Sequence, residues 1–361
     1  MDKNKIVFAV IGAGWRAEFF MRVAAMLPDL FEVSRVLVRN GAKADLFQKK
    51  WGIKTVTTLD QFLENRDYSY AIISVPWDAN PNYIAELSKQ GIPVLAETPP
   101  APDMDGLLKL HQELPANAKV EVAEQYLYQP MHAARIRLAR SGILGEVSHV
   151  QVSAAHGYHG ISLIRELLGA GYEKASITGH QFTSPIVKGP GRQGLPENEE
   201  IVQSIQELAV FQFGEKTAVF DFSNVQYFSW IRGNRILVRG ERGEIVNDEV
   251  SYLKDFRTPV TSRLRRIDTG HGGNLEGYAH RGIQFESEMI YENRFESGRL
   301  SDDEIAVATS MYKMGLYALD LGPSFYNFAK AAQDHYLSMM MKRSIKEGQE
   351  VITEIMPWSS R

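Results

Sequence analysis

A glycine-rich stretch near the start of the chain, "VIGAGWRA", has the residue types and spacing that bind a dinucleotide. Gly12, Gly14 and Ala17 match the pattern G-x-G-x-x-G/A between an apolar run that predicts a strand and a segment that predicts a helix. The first glycine permits a tight turn, the second lets the backbone approach a pyrophosphate, and the small third residue allows helix and strand to pack closely. The alternative is a tight turn that binds no ligand.

The charges after the second predicted strand indicate which dinucleotide is bound. A carboxylate about 20 residues after the glycine motif normally binds the ribose 2′-hydroxyl of NAD. Here the strand "VSRVLVR" ends in Arg39 and Asn40, and Lys43 follows. An arginine in this place can bind a 2′-phosphate through charge-assisted hydrogen bonds. The sequence therefore predicts NADP, with NAD as the alternative cofactor; a solvated surface arginine is the competing interpretation.

A second stretch, "PVLAETPPAP", ends a predicted buried strand with an acid and a hydroxyl. The prolines that follow cannot continue a helix or donate to a sheet, so the strand is expected to stop near Ala96. Ligands of open α/β sheets bind just beyond the carboxyl ends of the strands. Glu97 and Thr98 are therefore candidates to face a ligand.

The predicted elements divide the chain into two parts. Residues 1–125 alternate strands with helices, which predicts right-handed βαβ units and a parallel sheet. After Pro130, helices are predicted near 131–141 and 161–168, and alternation of period two over 174–250 predicts antiparallel strands. We read residues 255–300 as long polar loops and 303–345 as helical. The expected fold is α/β, with a dinucleotide-binding Rossmann domain at 1–125 and an α+β domain at 126–361. The second domain is expected to carry a large, mainly antiparallel open sheet, and its last helices can pack back on the first domain.

Composition excludes several classes of function. The 361 residues include 23% charged residues in no long block of one sign, and the net charge of −4 argues against nucleic acid or an anionic membrane as partner. The absence of cysteine excludes disulfides and thiolate nucleophiles, and the spacing of His, Asp and Glu predicts no metal site. The basic, apolar start looks like a secretory signal, but Gly12, Gly14, Arg16 and Glu18 interrupt it. We expect a cytoplasmic protein.

These motifs, together with "SVPWDAN", "SGILGEV" and "GYHGISLIRELLG", resemble the Gfo/Idh/MocA oxidoreductases, which include glucose–fructose oxidoreductase and inositol dehydrogenase. The resemblance extends over essentially the whole chain. It implies hydride transfer between NAD(P) and a sugar, polyol or sugar derivative, and a homodimer or homotetramer formed through the second domain's sheet. Beside Arg39, Asn40 and Lys43, it implies these cofactor contacts: Gly12, Ala13, Gly14, Trp15, Arg16, Val75, Pro76, Glu97 and Gln125.

The expected catalytic residues depart from the family pattern. Thr98 stands where the family usually has a lysine, and a threonine can hydrogen-bond but cannot replace a cation. The usual acid four residues before the catalytic histidine is Ala155. The position three residues after it, also commonly an acid, is Ser162. His159 remains at the catalytic position, and a histidine is a natural general acid/base near neutral pH. His156, Tyr158 and Thr98 complete the predicted catalytic set, although a histidine held only for structure is the alternative.

Other candidates are weaker. We expect Asn80 to be structural, and Tyr126 and Tyr128 to line the pocket or belong to the core. A group of basic residues in the predicted loops can contact an anionic sugar, or can simply be solvated: Arg257, Arg263, Arg265, Arg266, His271, His280 and Arg281.

Three functions remain open from the sequence. The first is a sugar or polyol dehydrogenase or reductase. The second is a glycoside-cleaving enzyme or lyase that retains its cofactor and uses it in transient redox steps. The third is a non-catalytic protein that binds a nucleotide or sugar. The intact cofactor motif favours the first, while the altered catalytic motif keeps the other two open.

Overall fold

The computed structural model describes residues 5–360, with the side chains of His271 and Asn274 left out. Its first domain alternates strands and helices as the sequence predicts. The elements are β1 (Ile6–Ile11), α1 (Ala17–Met26), β2 (Phe31–Leu37), α2 (Gly41–Trp51), β3 (Thr55–Val56), α3 (Leu59–Leu63), β4 (Tyr70–Ile73), α4 (Asn80–Lys89), β5 (Val94–Ala96), α5 (Met104–Glu113) and β6 (Val120–Val122).

The six strands form a parallel sheet in the order β3-β2-β1-β4-β5-β6. Strands β4, β5 and β6 are buried along their full length, because helices cover both faces of the sheet. The strand order reverses between β1 and β4, and a crevice at such a point is where open α/β sheets bind ligands. The prediction of a Rossmann domain is confirmed.

The second domain is built around a larger sheet. Its elements are α6 (Pro130–Arg140), β7 (Val147–Ser153), α7 (Gly157–Leu168), β8 (Ser176–Val187), β9 (Ile201–Phe213), β10 (Lys216–Ser223), β11 (Arg235–Gly240), β12 (Gly243–Val246), β13 (Glu249–Asp255), β14 (Thr258–His271), β15 (Asn274–Phe285), β16 (Glu288–Glu292), α8 (Asp302–Ala318), α9 (Phe328–Glu347) and β17 (Val351–Ile352). The order is β16-β15-β14-β13-β12-β11-β7-β10-β9-β8-β17. Strands β7 and β10 pair in parallel and their neighbours pair antiparallel, which confirms the mainly antiparallel sheet.

Three 3₁₀ turns complete the elements: Tyr126–Tyr128, Glu296–Gly298 and Pro357–Ser360.

The prediction of long loops over residues 255–300 was wrong. Most of this segment forms β14, β15 and β16, which extend the sheet; Leu264 pairs with Phe285 across β14 and β15. The strand pattern of this segment was hard to recognise because one face of the strands is covered with charged residues. On the other face, Leu264, Ile283 and Phe285 point into the core. An antiparallel sheet can leave one face in water, so polarity alone did not exclude strands.

Two helix boundaries also differ from the prediction. Helix α7 begins at Gly157, four residues earlier than expected, with His156 as its N-cap residue. His159 therefore lies in the first turn of a helix. The predicted helical region 303–345 is two helices, because α8 ends at Ala318 and α9 begins after Asn327, whose side chain accepts a hydrogen bond from Lys330 N.

The last helices pack against the first domain. Helix α8 lies against α1 and β1, and the Tyr70 hydroxyl donates to the Met311 carbonyl over 3.0 Å. Helix α9 contacts both α7 and β6, so it bridges the two domains. Among residues 5–360, no helix has the length and apolar character that crossing a bilayer requires.

Candidate active site

A cleft of about 1030 Å³ lies between the two domains, at the carboxyl edge of the parallel sheet. The first domain contributes the glycine motif, the end of β2, the loop after β4, and the residues after β5. The second domain contributes the start of α7, the connection between β8 and β9, and the connection between β10 and β11. The residues used below that line this cleft are Gly12, Gly14, Trp15, Arg16, Arg39, Asn40, Lys43, Val75, Pro76, Glu97, Thr98, Gln125, Tyr126, His156, His159, Arg192 and Tyr227.

Gly12 and Gly14 of the motif are suited to glycine for different structural reasons. Gly12 has φ +119°, and a Cβ there would lie 1.9 Å from the Ser74 carbonyl oxygen, so β1 and β4 leave no space for a side chain. At Gly14, a Cβ would meet nothing within 4 Å, because this residue faces the open cleft. Helix α1 follows with no side-chain cap at its N-terminus. Its first-turn amides therefore suit the pyrophosphate of a dinucleotide.

Arg16 connects three segments of the first domain, because it hydrogen-bonds from the glycine motif to residues that follow β5 and β6. Its Nε donates to Glu97 Oε1 over 2.8 Å, and its Nη2 donates to Gln125 Oε1 over 2.6 Å. The Arg16 and Glu97 side chains are only 14% and 12% exposed, so the ion pair is well shielded from water. The pair holds the residues after β5 and β6 against the glycine motif. Glu97, a predicted cofactor contact, is thus fixed at the edge of the cleft.

At the far end of the cleft, the predicted NADP determinants are exposed. The Asn40 side chain caps α2 by accepting from Lys43 N over 2.9 Å. Arg39 lines the cleft, and in the described part of the chain it is engaged in no ion pair. Arg39 is therefore open to a ligand anion.

A histidine and a carboxylate from different domains form the chemical centre of the cleft. His159 Nδ1 lies 2.6 Å from Oε2 of Glu124, which follows β6. Glu124 is fully buried, and its other oxygen accepts the backbone N–H of Tyr126 over 3.0 Å. The carboxylate thus orients the ring with its proton on Nδ1 and leaves Nε2 as the nitrogen that can accept a proton. Sequence reasoning missed Glu124, although a carboxylate directly after a buried strand at this edge of the sheet was an available signal.

A second hydrogen-bonded group lies beside the first. The Tyr227 hydroxyl accepts the backbone N–H of His156 over 3.0 Å and lies 2.7 Å from His156 Nδ1. It is also hydrogen-bonded to the Tyr126 hydroxyl, and the Tyr126 ring lies 4.8 Å from that of His159. Although His156 is open to the cleft, desolvation by the surrounding protein lowers its pKa to about 4, with smaller electrostatic contributions from His159, Lys342 and Arg192. His156 is therefore neutral at neutral pH.

The structure places Tyr158, a member of the predicted catalytic set, outside the lining of the cleft. Its hydroxyl is hydrogen-bonded to that of Tyr326 over 2.9 Å, and the Tyr326 hydroxyl is in turn hydrogen-bonded to the buried carboxylate of Asp334. Tyr158, in the first turn of α7, is buried, and this burial raises the pKa of its hydroxyl. Successive side chains of an α-helix point in different directions. Tyr158 therefore faces inward although the next residue, His159, faces the cleft. Thr98, by contrast, does line the cleft.

Asn80, Tyr126 and Tyr128, the other candidates from the first domain and the turn that follows it, differ in their positions. Asn80 is buried and donates to the carbonyls of Glu97 and Pro99 over 3.0 and 2.9 Å, so it holds the segment that carries Thr98. Tyr126 lines the cleft, while the Tyr128 ring packs against Phe325.

The basic residues predicted for sugar contact lie on β13–β16 and the turns between them, outside the lining of the cleft. Several pair with carboxylates there: Arg263 with Glu249, Arg266 with Asp302, His280 with Asp268, and Arg281 with Glu296. The His271 side chain lies outside the described residues. Within residues 5–360, no cluster of His, Asp and Glu suits a metal ion.

With this geometry established, comparison with known proteins identifies the first domain. Residues 6–125 match the family model described as "Oxidoreductase family, NAD-binding Rossmann fold". Through this domain, the chain is similar to the Gfo/Idh/MocA oxidoreductases. The resemblance read from the sequence motifs is confirmed, and so, at the level of the family, is the prediction of an NAD-dependent oxidoreductase.

Solved structures share the fold of the whole chain. Levoglucosan dehydrogenase in complex with NADH and levoglucosan superposes with a TM-score of 0.68 at 12% identity, covering 98% of this chain and all of that one. A putative myo-inositol dehydrogenase from Sinorhizobium meliloti has a TM-score of 0.66 at 16% identity, with 98% and 100% coverage. The WlbA dehydrogenase from Bordetella pertussis, in complex with NADH and UDP-GlcNAcA, has a TM-score of 0.63 at 14% identity, with 99% and 100% coverage. No curated protein sequence matches the chain.

Proposed function

We propose that the protein is an NAD(P)-dependent dehydrogenase or reductase of a sugar, polyol or sugar derivative, with His159 as general acid/base. The observation that carries this proposal is the His159–Glu124 pair, which faces the same cleft as the glycine motif. The similar solved structures support the ligand classes, since they are complexes of NADH with levoglucosan or with UDP-GlcNAcA.

The residues of the cleft can accept the proton that this reaction releases. A bound nicotinamide supplies the hydride acceptor or donor. When an alcohol is oxidised, its carbon loses a hydride while the hydroxyl proton passes to His159 Nε2, and a carbonyl remains. Glu124 stabilises the resulting imidazolium, because a buried carboxylate 2.6 Å away attracts the new positive charge. Thr98 can donate a hydrogen bond to the reacting oxygen but supplies no positive charge.

The proposal is tested with purified protein, NAD⁺ or NADP⁺, and a panel of sugars and polyols, monitored by the absorbance of the reduced nicotinamide. Substrate-dependent reduction of either cofactor supports the dehydrogenase. A cofactor that binds tightly but is never reduced or oxidised in the presence of any panel member contradicts it.

A second candidate function follows from the His156–Tyr227 pair. Simple alcohol oxidation needs one acid/base, whereas the cleft holds a second hydrogen-bonded histidine whose ring centroid lies 5.0 Å from that of His159. An enzyme that retains its cofactor and eliminates a leaving group after transient oxidation needs a second proton-transfer site. Conversion of a glycoside without net change in the cofactor would favour this candidate over the first.

We further propose that NADP is the preferred cofactor and that Arg39 determines this preference. Arg39→Asp is expected to weaken NADP binding about 10- to 100-fold, the effect of losing hydrogen bonds to a charged group, and to leave NAD binding nearly unchanged or improved. Titration of both oxidised cofactors measures this. Lys49→Asp, which makes the same change of charge on α2 outside the cleft lining, is the control. Wild-type protein that prefers NAD would show that Arg39 is only a surface residue.

The carboxylate beside His159 is expected to be needed for rapid turnover. Glu124→Gln keeps the size of the side chain but removes the charge that stabilises the imidazolium, and about a 10- to 100-fold loss in kcat is expected. Cofactor affinity should stay within a factor of about two, because Glu124 lies behind His159 and is fully buried. Steady-state kinetics and cofactor titration measure the two effects. An equal loss in cofactor affinity would instead indicate a general structural defect.

Self-association through the second sheet and cytoplasmic localisation stay predictions. Five large apolar side chains on β8 and β9 are exposed and are consistent with such an interface: Phe182, Val187, Ile201, Ile205 and Val210.

A further inference from the structure

A hairpin extension of the second domain carries an arginine across the cleft. Residues 188–200 connect β8 and β9, and their two ends are joined by Lys188, which pairs with Glu200 through both backbone and side chain. At the tip, the backbones of Gly191 and Gly194 exchange two hydrogen bonds of 3.0 Å. Gly194 has φ +110°, which favours glycine at this turn. The turn therefore presents Arg192 at the end of a hydrogen-bonded arm.

Arg192 reaches the glycine motif of the other domain. Its Cζ lies 4.7 Å from the centroid of the Trp15 ring, and both residues line the cleft with Gly14. A cation over an indole ring is held there by the ring's negative face. Trp15 is 61% exposed, so it is not a core residue and its ring is available for this contact.

The charge of Arg192 is not balanced by the protein. Arg16, the other arginine at the motif, is paired with Glu97, whereas no ion pair engages Arg192 within residues 5–360. The backbone amides of the glycine motif at the start of α1 suit the phosphates of a dinucleotide. A guanidinium placed beside it supplies the planar, bidentate donor geometry that suits phosphate oxygens.

We propose that Arg192 binds the pyrophosphate of the bound dinucleotide from the second-domain side. The 188–200 hairpin then crosses the cleft above the cofactor, and the cofactor cannot leave until this arm releases it. Trp15 holds the guanidinium near its binding position when no dinucleotide is present, which reduces the ordering needed on binding. The inference rests on the proposed use of NAD(P) and adds a residue outside the Rossmann domain to the cofactor site.

The test uses Arg192→Gln, with NADH and NADPH as full cofactors and ADP-ribose as a probe that has the pyrophosphate but no nicotinamide. The variant is expected to bind all three about 10- to 100-fold more weakly, as measured by calorimetry, and to release NADPH faster in stopped flow. Arg232→Gln is the control, because Arg232 is an exposed arginine outside the cleft lining and donates to the carbonyl of its own neighbour, Ile231. It should bind like the wild type.

The outcomes separate this inference from the proposed function. If the wild type binds neither ADP-ribose nor a full cofactor, both proposals fail. If the wild type binds them and Arg192→Gln binds them equally well, the proposed function stands and the role of Arg192 is overturned. An increase in the KM of the organic substrate, with unchanged ADP-ribose affinity, would likewise overturn it and assign Arg192 to an anionic group of the substrate.

Discussion

His159→Ala is expected to reduce turnover about 100-fold or more, while the affinity for NAD(P)H stays nearly unchanged. The factor is the usual contribution of one general acid/base. The ring is removed from the first turn of α7, where it is held by Glu124, whereas the glycine motif and Arg39 remain as they are. Steady-state turnover on an accepted sugar and titration of the cofactor measure the two quantities.

The neighbouring polar residue provides the control. Thr98→Ala removes one neutral hydroxyl from the cleft and is expected to matter much less than the loss of His159. Thr98→Lys alone should not create strong activity, because Ala155 offers no carboxylate to the new cation and is itself buried. Normal turnover in His159→Ala, or an inactive Thr98→Ala enzyme, would reverse these roles.

Gly14→Val is expected to abolish dinucleotide binding without unfolding the protein. A Cβ at Gly14 would meet nothing within 4 Å, so the folded state has room for it, but that room is the cleft that the pyrophosphate would occupy. Titration of NADH and NADPH measures the binding, and circular dichroism with thermal unfolding measures the fold.

A matched substitution at the other glycine should fail for a different reason. Gly12→Ala places a methyl group 1.9 Å from the Ser74 carbonyl oxygen at a positive φ, so β1 and β4 must move apart and stability should fall. The two variants therefore distinguish a filled site from a distorted sheet. Unchanged cofactor affinity in Gly14→Val would contradict both the cofactor site and the proposed function.

Much of the fold could be predicted from residues that are close together in the chain. The glycine motif, the alternation of strands and helices, and the break in pattern near Pro130 were sufficient to predict the Rossmann domain and the larger sheet domain. Each depends on residues that are close in the chain: the period of apolar residues, the turn-forming glycines, and the prolines that end strands. The polar strands β14–β16 were missed because their burial comes from neighbours in the sheet rather than from their own composition.

The sequence by itself determined the dinucleotide motif, the fold of the first domain and the choice of His159 as the candidate base. The tertiary structure alone decided what surrounds that base. It brought Glu124 to His159 across 35 positions of chain, turned Tyr158 into the core towards Tyr326, and carried Arg192 from the second domain to Trp15 of the first. Such contacts depend on strand order, on the angular position of each side chain on its helix, and on how the two domains pack. No local pattern of residue types encodes these three relations, so they became visible only in the folded chain.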